Sequence, residues 1–330
     1  MTKMNSDSQE QDNNQRNIIK AIGVGGGGIN AVNHMYSQGI DGVTFVVLDT
    51  DSHLLNASPV SNRVLLRPDT THSIATEESE SEITALFDDD TKMVIIVAGL
   101  GGGTGTYAAP AVARIAREKE VTLTVGIVTI PFQFEGTERI QMALAGIEEM
   151  RKQVDALFVI NNERLTEIDN DLNPSNAFMK AEETLTTAVR SLCDLITVKN
   201  LICIDFNDVN WTLRKSGSAM FISGYASGER RVTKALENAL KSPLLKDCNI
   251  FSAKKMMMNF YYNPYSESPL HMDEISEIQK FMANLDQETD VIWGISYDTT
   301  LDNQIKVKVL ASGFNVSYKS QISVGQTNES

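Results

Sequence analysis

The chain has 330 residues, with 43 acidic against 29 basic side chains and a formal charge of −14. That balance argues against nucleic acid or an anionic membrane surface as the main partner, because both recruit proteins through Lys/Arg excess. Hydrophobic residues at 42% and charged residues at 22% exclude wholesale disorder, and at roughly 150 residues per domain the length suits one large domain or two smaller ones.

Residues 1 to 17 form a Gln/Asn/Ser/Asp tail with almost nothing to bury, and disorder is expected there. The tail is polar where a signal peptide would be apolar. No window approaches the 18 or so apolar residues of a membrane span, so a cytoplasmic protein is expected. From Ile18 the runs NIIKAIGV, VTFVVLDT, MVIIVAG, VTLTVGIVTIP and ALFVINN alternate with stretches of helical period. Nearly all-apolar strands alternating with helices predict a parallel sheet covered on both faces, a doubly wound α/β domain over 18–175. Phe178, Ala181, Leu185, Ala188, Leu192 and Leu195 recur every three or four residues and predict a long amphipathic helix from 176 to 197. It opens a 176–204 segment of central helix and loop. SAMFISGYA, KKMMMNFYYN, TDVIWGISYD and NQIKVKVLASG then read as strands, with helices near 228–241 and 271–284. They predict a smaller α+β domain over 205–316, and 317–330 reads as a short polar tail.

Cys193, Cys203 and Cys248 are odd in number and widely spaced, and His34, His53, His72 and His271 are isolated. Free thiols and no transition-metal site are therefore expected. Ten of the 21 glycines fall in two segments, Gly23 to Gly28 (GVGGGG) and Gly99 to Gly105 (GLGGGTG). Each follows a predicted strand and precedes a helical pattern, so backbone N–H groups and a helix N-terminus can approach an anion without interference from Cβ. Two such loops at neighbouring strand ends suggest one polyphosphate. Gly23, Gly25 and Gly28 alone satisfy the dinucleotide fingerprint GxGxxG, but a nicotinamide site has no use for GGGTGT, and no GxxxxGK[ST] P-loop is present. Asp205 and Asp208, in IDFNDV, share a face if a helix starts there; by themselves they read equally as helix caps.

GGGTGT followed by AAP, GVGGGGINAVNHM from Gly23, PFQFEGTER, NAFMKAEETLTTAV, IDFNDV, GSAM, GYASGE and VKVLASGF occur in this order. On these motifs the chain resembles the tubulin/FtsZ family from about 18 to 316. The resemblance implies a GTP-binding parallel-sheet domain joined by a long central helix to the α+β domain, with GTP or GDP and Mg²⁺ as ligands. It implies head-to-tail filaments in cell division, with GTP hydrolysed at the subunit interface. Partners would be further copies of the chain, a conventional FtsZ or other division proteins. By the resemblance the nucleotide is held by Gly25, Gly26, Gly27 and Asn30, by Gly101, Gly102, Gly103, Thr104, Gly105 and Thr106, and by Asn162. Glu135 and Arg139 would lie by the ribose and phosphates, Phe178 would stack on guanine and Glu182 would read it. Asp205 and Asp208 would be catalytic, acting on the nucleotide of the next subunit.

The sequence departs from the family at Tyr107, which adds a phenol beside the phosphate loop, at Cys203 in the catalytic loop and at Asp49, usually asparagine. Between Arg67 and Glu78 it has glycine-free RPDTTHSIATEE in place of a glycine-rich loop, so γ-phosphate sensing is expected to suffer. Residues 68 to 91 hold eight acidic side chains and no Lys or Arg, an excess expected to weaken GTP affinity unless Mg²⁺ or Arg139 offsets it. The chain runs only a little past the second domain, and no membrane recruitment through a C-terminal peptide is expected. Two other readings compete: a nucleotide-binding or regulatory relative with little or no hydrolysis, and a nicotinamide-dependent oxidoreductase.

Overall fold

The computed structural model describes residues 18–316 except 41, 68–76, 170–172, 198–199, 284 and 286–287. The tails and most of the 67–78 loop lie outside the described residues, and the expectations placed on them go no further here.

The five apolar runs become strands β1 (Ile19–Val24), β2 (Val43–Asp49), β4 (Met93–Gly99), β5 (Leu123–Ile130) and β6 (Ala156–Asn161). They are buried almost end to end, as strands covered on both faces must be. A short half-polar strand, β3 (Asn62–Leu65), is added at one edge beside β2. All neighbours pair parallel in the order β3-β2-β1-β4-β5-β6. The covering helices are α1 (Gly25–Ser37), α2 (Ser52–Ala57), α3 (Glu77–Ala85), α4 (Gly103–Glu118) and α5 (Thr137–Gln153). They bury two apolar layers: Ile29, Val32 and Met35 of α1 on one face, and Val112, Ala116 and Ile147 of α4 and α5 on the other. In this order the connections leave β1 and β4 in opposite directions, which opens a crevice at their C-terminal ends.

Helix α6 (Pro174–Thr197) follows, with Leu185, Val189, Leu192, Cys193 and Leu195 turned into the first layer. At 1.5 Å per residue its 24 residues span about 36 Å. Its C-terminal end reaches the ends of the strands opposite the crevice, where the Thr197 methyl group faces Gly42, just before β2. There lie β7 (Asn200–Ile202) and α7 (Phe206–Leu213). Strands β8 (Gly217–Ala226), β9 (Lys255–Tyr262), β10 (Asp290–Tyr297) and β11 (Ile305–Ser312) extend the same sheet, with α8 (Arg231–Leu240) and α9 (Met272–Met282) packed on it. β8 pairs parallel with β6, β11 antiparallel with both β8 and β9, β10 parallel with β9, and β7 antiparallel with β10. The two parts are thus joined by strand pairing as well as by α6. Lys308 on β11, which is buried, also reaches Asp194 on α6 at 2.8 Å; burial pulls the Lys308 ammonium below its usual range although Asp194 opposes the shift.

Arg231 anchors the smaller part. It is 3% exposed, and its guanidinium donates at 2.7–2.9 Å to both Glu274 oxygens and to the carbonyls of Ser268, Pro269 and Asn303. One side chain therefore ties α8, α9, the segment before α9 and the β10–β11 turn together. Burial alone would raise the Glu274 carboxyl, but the Arg231 fork and the His271 N–H outweigh it and hold it below the ordinary 4.5. A depressed carboxyl contributes stability that is present above 4.5 and is lost as pH falls through the folded value. Glu274→Gln should lose part of that acid sensitivity in pH-dependent unfolding curves. Arg231→Met should cost about 2–3 kcal/mol at pH 7, because it leaves the half-buried Glu274 carboxylate and three carbonyls without their donor.

Candidate functional site

Both glycine segments stand at the crevice. Helix α1 begins at Gly25 and α4 at Gly103, and neither has a side-chain cap or an acidic residue in its first turn. Their first N–H groups, which have no intrahelical partners, and their positive dipole ends therefore point at one cavity of about 510 Å³.

The glycines divide into two kinds. A Cβ on Gly105 would lie 2.4 Å from the Gly99 carbonyl oxygen, and Gly101 has φ +95° with the Arg139 carbonyl 2.8 Å away. These two are required by the backbone crossing itself. Gly102 and Gly103 have nothing within 4 Å of an added Cβ and no positive φ. Nothing in the protein demands glycine at either position, and both face the open cavity.

Thirteen of the fifteen residues expected at the nucleotide line the cavity: Gly26, Gly27, Asn30, Gly101, Gly102, Gly103, Thr104, Gly105, Glu135, Arg139, Asn162, Phe178 and Glu182. Gly25 and Thr106 stand behind it. Gly25, at φ +73°, is pressed against Gly105, and the buried Thr106 hydroxyl accepts from the Gly101 N–H at 2.9 Å. They shape the loops instead of facing a ligand. Asp49 is in the lining at 3% exposure, taking the Asp51 N–H at 2.9 Å. Thr104 contributes a hydroxyl 3.1 Å from that of Thr50.

At the other end of the cavity the Asn30 amide donates to Glu182 at 2.8 Å across the α1–α6 seam. Asn162 is 5% exposed and its side-chain carbonyl has no hydrogen-bond partner. A buried acceptor left unpaired is costly unless a ligand donor meets it. Phe178, 42% exposed, meets Phe132 and Phe134 edge-to-face at 5.7 and 5.8 Å, with those two stacked at 5.1 Å. Glu135 accepts the Phe132 N–H at 2.9 Å and Arg139 at 3.0 Å, while the Arg139 guanidinium stays 59% exposed. Leu54, Pro131, Ala181 and Leu185 complete the wall; no spacing marks them or Phe134 as site residues, since only tertiary packing assembles them.

Two expectations drawn from the departures change. Tyr107 lies one turn beyond Gly103 on α4, projects to solvent at 53% exposure and is not in the lining, so it neither clashes with nor covers the cavity. The described part of the acidic stretch, 78 to 90, does not crowd it either. Glu78, Glu80, Asp88 and Asp89 pair with Arg67, Arg114, Lys119 and Lys20, and none of the described acids between 78 and 90 lines the cavity.

Asp205 and Asp208 are not in this cavity. Asp205 caps α7, accepting the N–H groups of Asn207 and Asp208 at 2.7 and 3.1 Å, and Asp208 accepts the Asp205 N–H at 3.0 Å. They form a reciprocal capping box at the far end of α6. The neighbouring Cys203 is exposed, while burial pushes the Cys193 and Cys248 thiols up to about 12. Among the described residues no helix is long and apolar enough to cross a membrane.

A parallel sheet with two uncapped helix ends facing a crevice at the strand switch point defines an anion-binding α/β protein. The comparisons give the particular family. A profile described as "Tubulin/FtsZ family, GTPase domain" matches residues 18–170, and one described as "FtsZ family, C-terminal domain" matches 217–315. The chain is 46% identical to the cell division protein FtsZ of Porphyromonas gingivalis, over 91% of this chain and 67% of that protein. It is 38% identical to that of Caulobacter vibrioides, over 92% and 61%. An empty FtsZ dimer of M. jannaschii superposes with a TM-score of 0.78 at 32% identity, over 94% and 93% of the two chains. The chain belongs to the tubulin/FtsZ family, and it spans about two thirds of the length of those curated bacterial relatives.

Proposed function

We propose that the chain binds GTP and GDP, assembles head-to-tail with copies of itself in the cytoplasm during cell division, and hydrolyses GTP where two copies meet. One observation carries the reading: Gly102 and Gly103 need no glycine for the fold, yet sit where two helix N-termini converge on one cavity. The N–H groups there suit phosphate oxygens, and the exposed Arg139 adds a mobile cation. Asn162 offers its unpaired carbonyl to a base donor, and the edge of the Phe178 cluster offers an aromatic surface.

A divalent cation is the finer part of the proposal. It would take most of its ligands from phosphate and water, with Asp49 as the buried carboxylate on the phosphate side. The catalytic role of Asp205 and Asp208 rests on their place. They lie about one α6 length from their own cavity and at the sheet edge that a second copy stacked head-to-tail would meet. The domain division at 18–175, 176–204 and 205–316 belongs to the same proposal. A conventional FtsZ or other division proteins as partners remain part of it too.

The test is GTP turnover measured against protein concentration, with sedimentation in GTP and in GDP. Turnover that rises more than linearly, together with GTP-dependent pelleting, is the expected result. Linear turnover with no polymer would remove the assembly half of the reading.

A further inference from the structure

On the edge of the sheet that carries α7, a second hollow of about 370 Å³ opens between the C-terminal end of α5, the end of α7 and the ends of β9 and β11. Its lining holds Arg151, Arg214, Lys215, Lys254 and Lys255 and no carboxylate. Five of the chain's 29 basic side chains thus share one hollow in a protein of charge −14. Among the described residues Arg214, Lys215 and Lys254 make no ion pair. Arg151 keeps one guanidinium nitrogen buried without a partner and reaches Glu148 only at 3.4 Å. Lys255 is held by the Trp211 carbonyl at 2.6 Å and lies over that ring. Nearby Asp155 is committed to the N–H groups of Lys215 and Thr124. Like charges gathered in this way repel one another, and among the described residues the Arg151–Glu148 contact is the one ion pair that Arg151, Arg214, Lys215 and Lys254 make.

We infer that this hollow is the electrostatic half of a contact with a second copy of the chain and receives acidic side chains from the copy's nucleotide-bearing edge. The inference rests on the head-to-tail reading above and specifies which charges make the contact. Helix α7 links the hollow to Asp205 and Asp208, with Arg214 at its C-terminal end and Asp205 at its N-terminal end, about 12 Å apart at 1.5 Å per residue. Copies related by translation along the strands set the foot of α5 and β6 over the head of the same elements in the next molecule. The foot carries Arg151, Arg214 and Lys215. The head carries Glu138, exposed in the first turn of α5, and the half-buried Glu163 just beyond β6, which also takes the Gln133 N–H; the Arg139 beside them is paired with Glu135. A bound nucleotide makes that head more negative still. Opposed potentials of this kind fix register and speed association, and they weaken as salt screens them.

The test uses the full chain carrying Arg214→Glu and Lys215→Glu together; both side chains are exposed and neither touches the nucleotide cavity. GTP affinity at concentrations below assembly should equal that of wild type, which also reports correct folding. The concentration needed for GTP-dependent assembly should rise by about tenfold, and its dependence on NaCl should flatten. Adding Glu138→Arg to the same chain should restore part of the loss. Assembly at the wild-type concentration with unchanged salt dependence would overturn the inference and leave the head-to-tail reading intact. So would a phosphate-induced thermal stabilisation of unassembled protein that the double substitution abolishes while assembly is unaffected, because the hollow would then serve a small anion. Failure of wild type to assemble at all would instead count against the parent reading.

Discussion

On the proposed shared site, Asp208→Asn should lower GTP turnover by about 10²-fold or more, in the range expected when a group that positions or activates the attacking water is lost, and should leave GTP affinity within about twofold of wild type. The two effects separate because Asp208 lies at the far end of α6 from its own cavity. Asparagine is the informative replacement. The Asp208 carboxylate accepts the Asp205 N–H at 3.0 Å, and an amide oxygen can take the same bond, so the capping box survives while the charge goes. Alanine would remove both, at about 1 kcal/mol of helix stability, and would confuse a folding defect with a chemical one. The same holds for Asp205→Asn, since asparagine caps as well as aspartate. The variants should still pellet with GTP, and their polymers should persist longer because the nucleotide is consumed slowly. Nucleotide binding is read by titration below the assembly concentration and turnover above it. Weakened binding in either variant would place these residues in their own molecule's site and end the shared-site model.

The interior of the larger part was legible because each of its strands is buried on both faces. MVIIVAG and VTLTVGIVTIP carry no alternation to misread, and β4 and β5 fall within those runs. β3, as NRVL with its first two residues exposed, and β7, three residues at the other edge of the sheet, carry too little apolar signal to stand out. The phosphate half of the cavity was legible for a related reason. Glycine clustering is a composition signal, and each cluster sits between a strand and a helix. The base half was not: Phe178 is one more apolar residue in the α6 period, and only the family resemblance singled it out. Its partners Phe132 and Phe134 lie more than forty residues away. Spacing also could not separate glycines that line the cavity from those that let two backbone segments cross; Gly25 and Thr106, which the family resemblance placed at the nucleotide, stand behind the lining. For Asp205 and Asp208 the structure shows the capping geometry, and their catalytic role belongs to the proposed head-to-tail assembly.

Gly103→Ala and Gly105→Ala, two residues apart, should fail in opposite ways. At Gly105 the added methyl would sit 2.4 Å from the Gly99 carbonyl and 3.5 Å from that of Val24. Neither is the end of a flexible side chain. Backbone of β4 or of α4 must move, and about 3 kcal/mol or more of stability is lost. At Gly103 nothing lies within 4 Å and φ is not positive, so the methyl enters open space at the first position of α4. Replacing glycine with alanine in a helical conformation is neutral or stabilising by up to about 1 kcal/mol. The protein should therefore melt at or slightly above the wild-type temperature. In the cavity, however, the methyl takes the place of a phosphate oxygen in front of the α4 N–H groups. Charge-assisted hydrogen bonds are worth about 1.5–3 kcal/mol each, so losing two of them weakens GTP binding by about 10²-fold or more. Calorimetric melting paired with nucleotide titration reads both halves in one pair of variants. A Gly103→Ala protein that melts normally and binds GTP like wild type would mean that the phosphates do not lie on this loop. The glycines at 102 and 103 would then be without a physical cause.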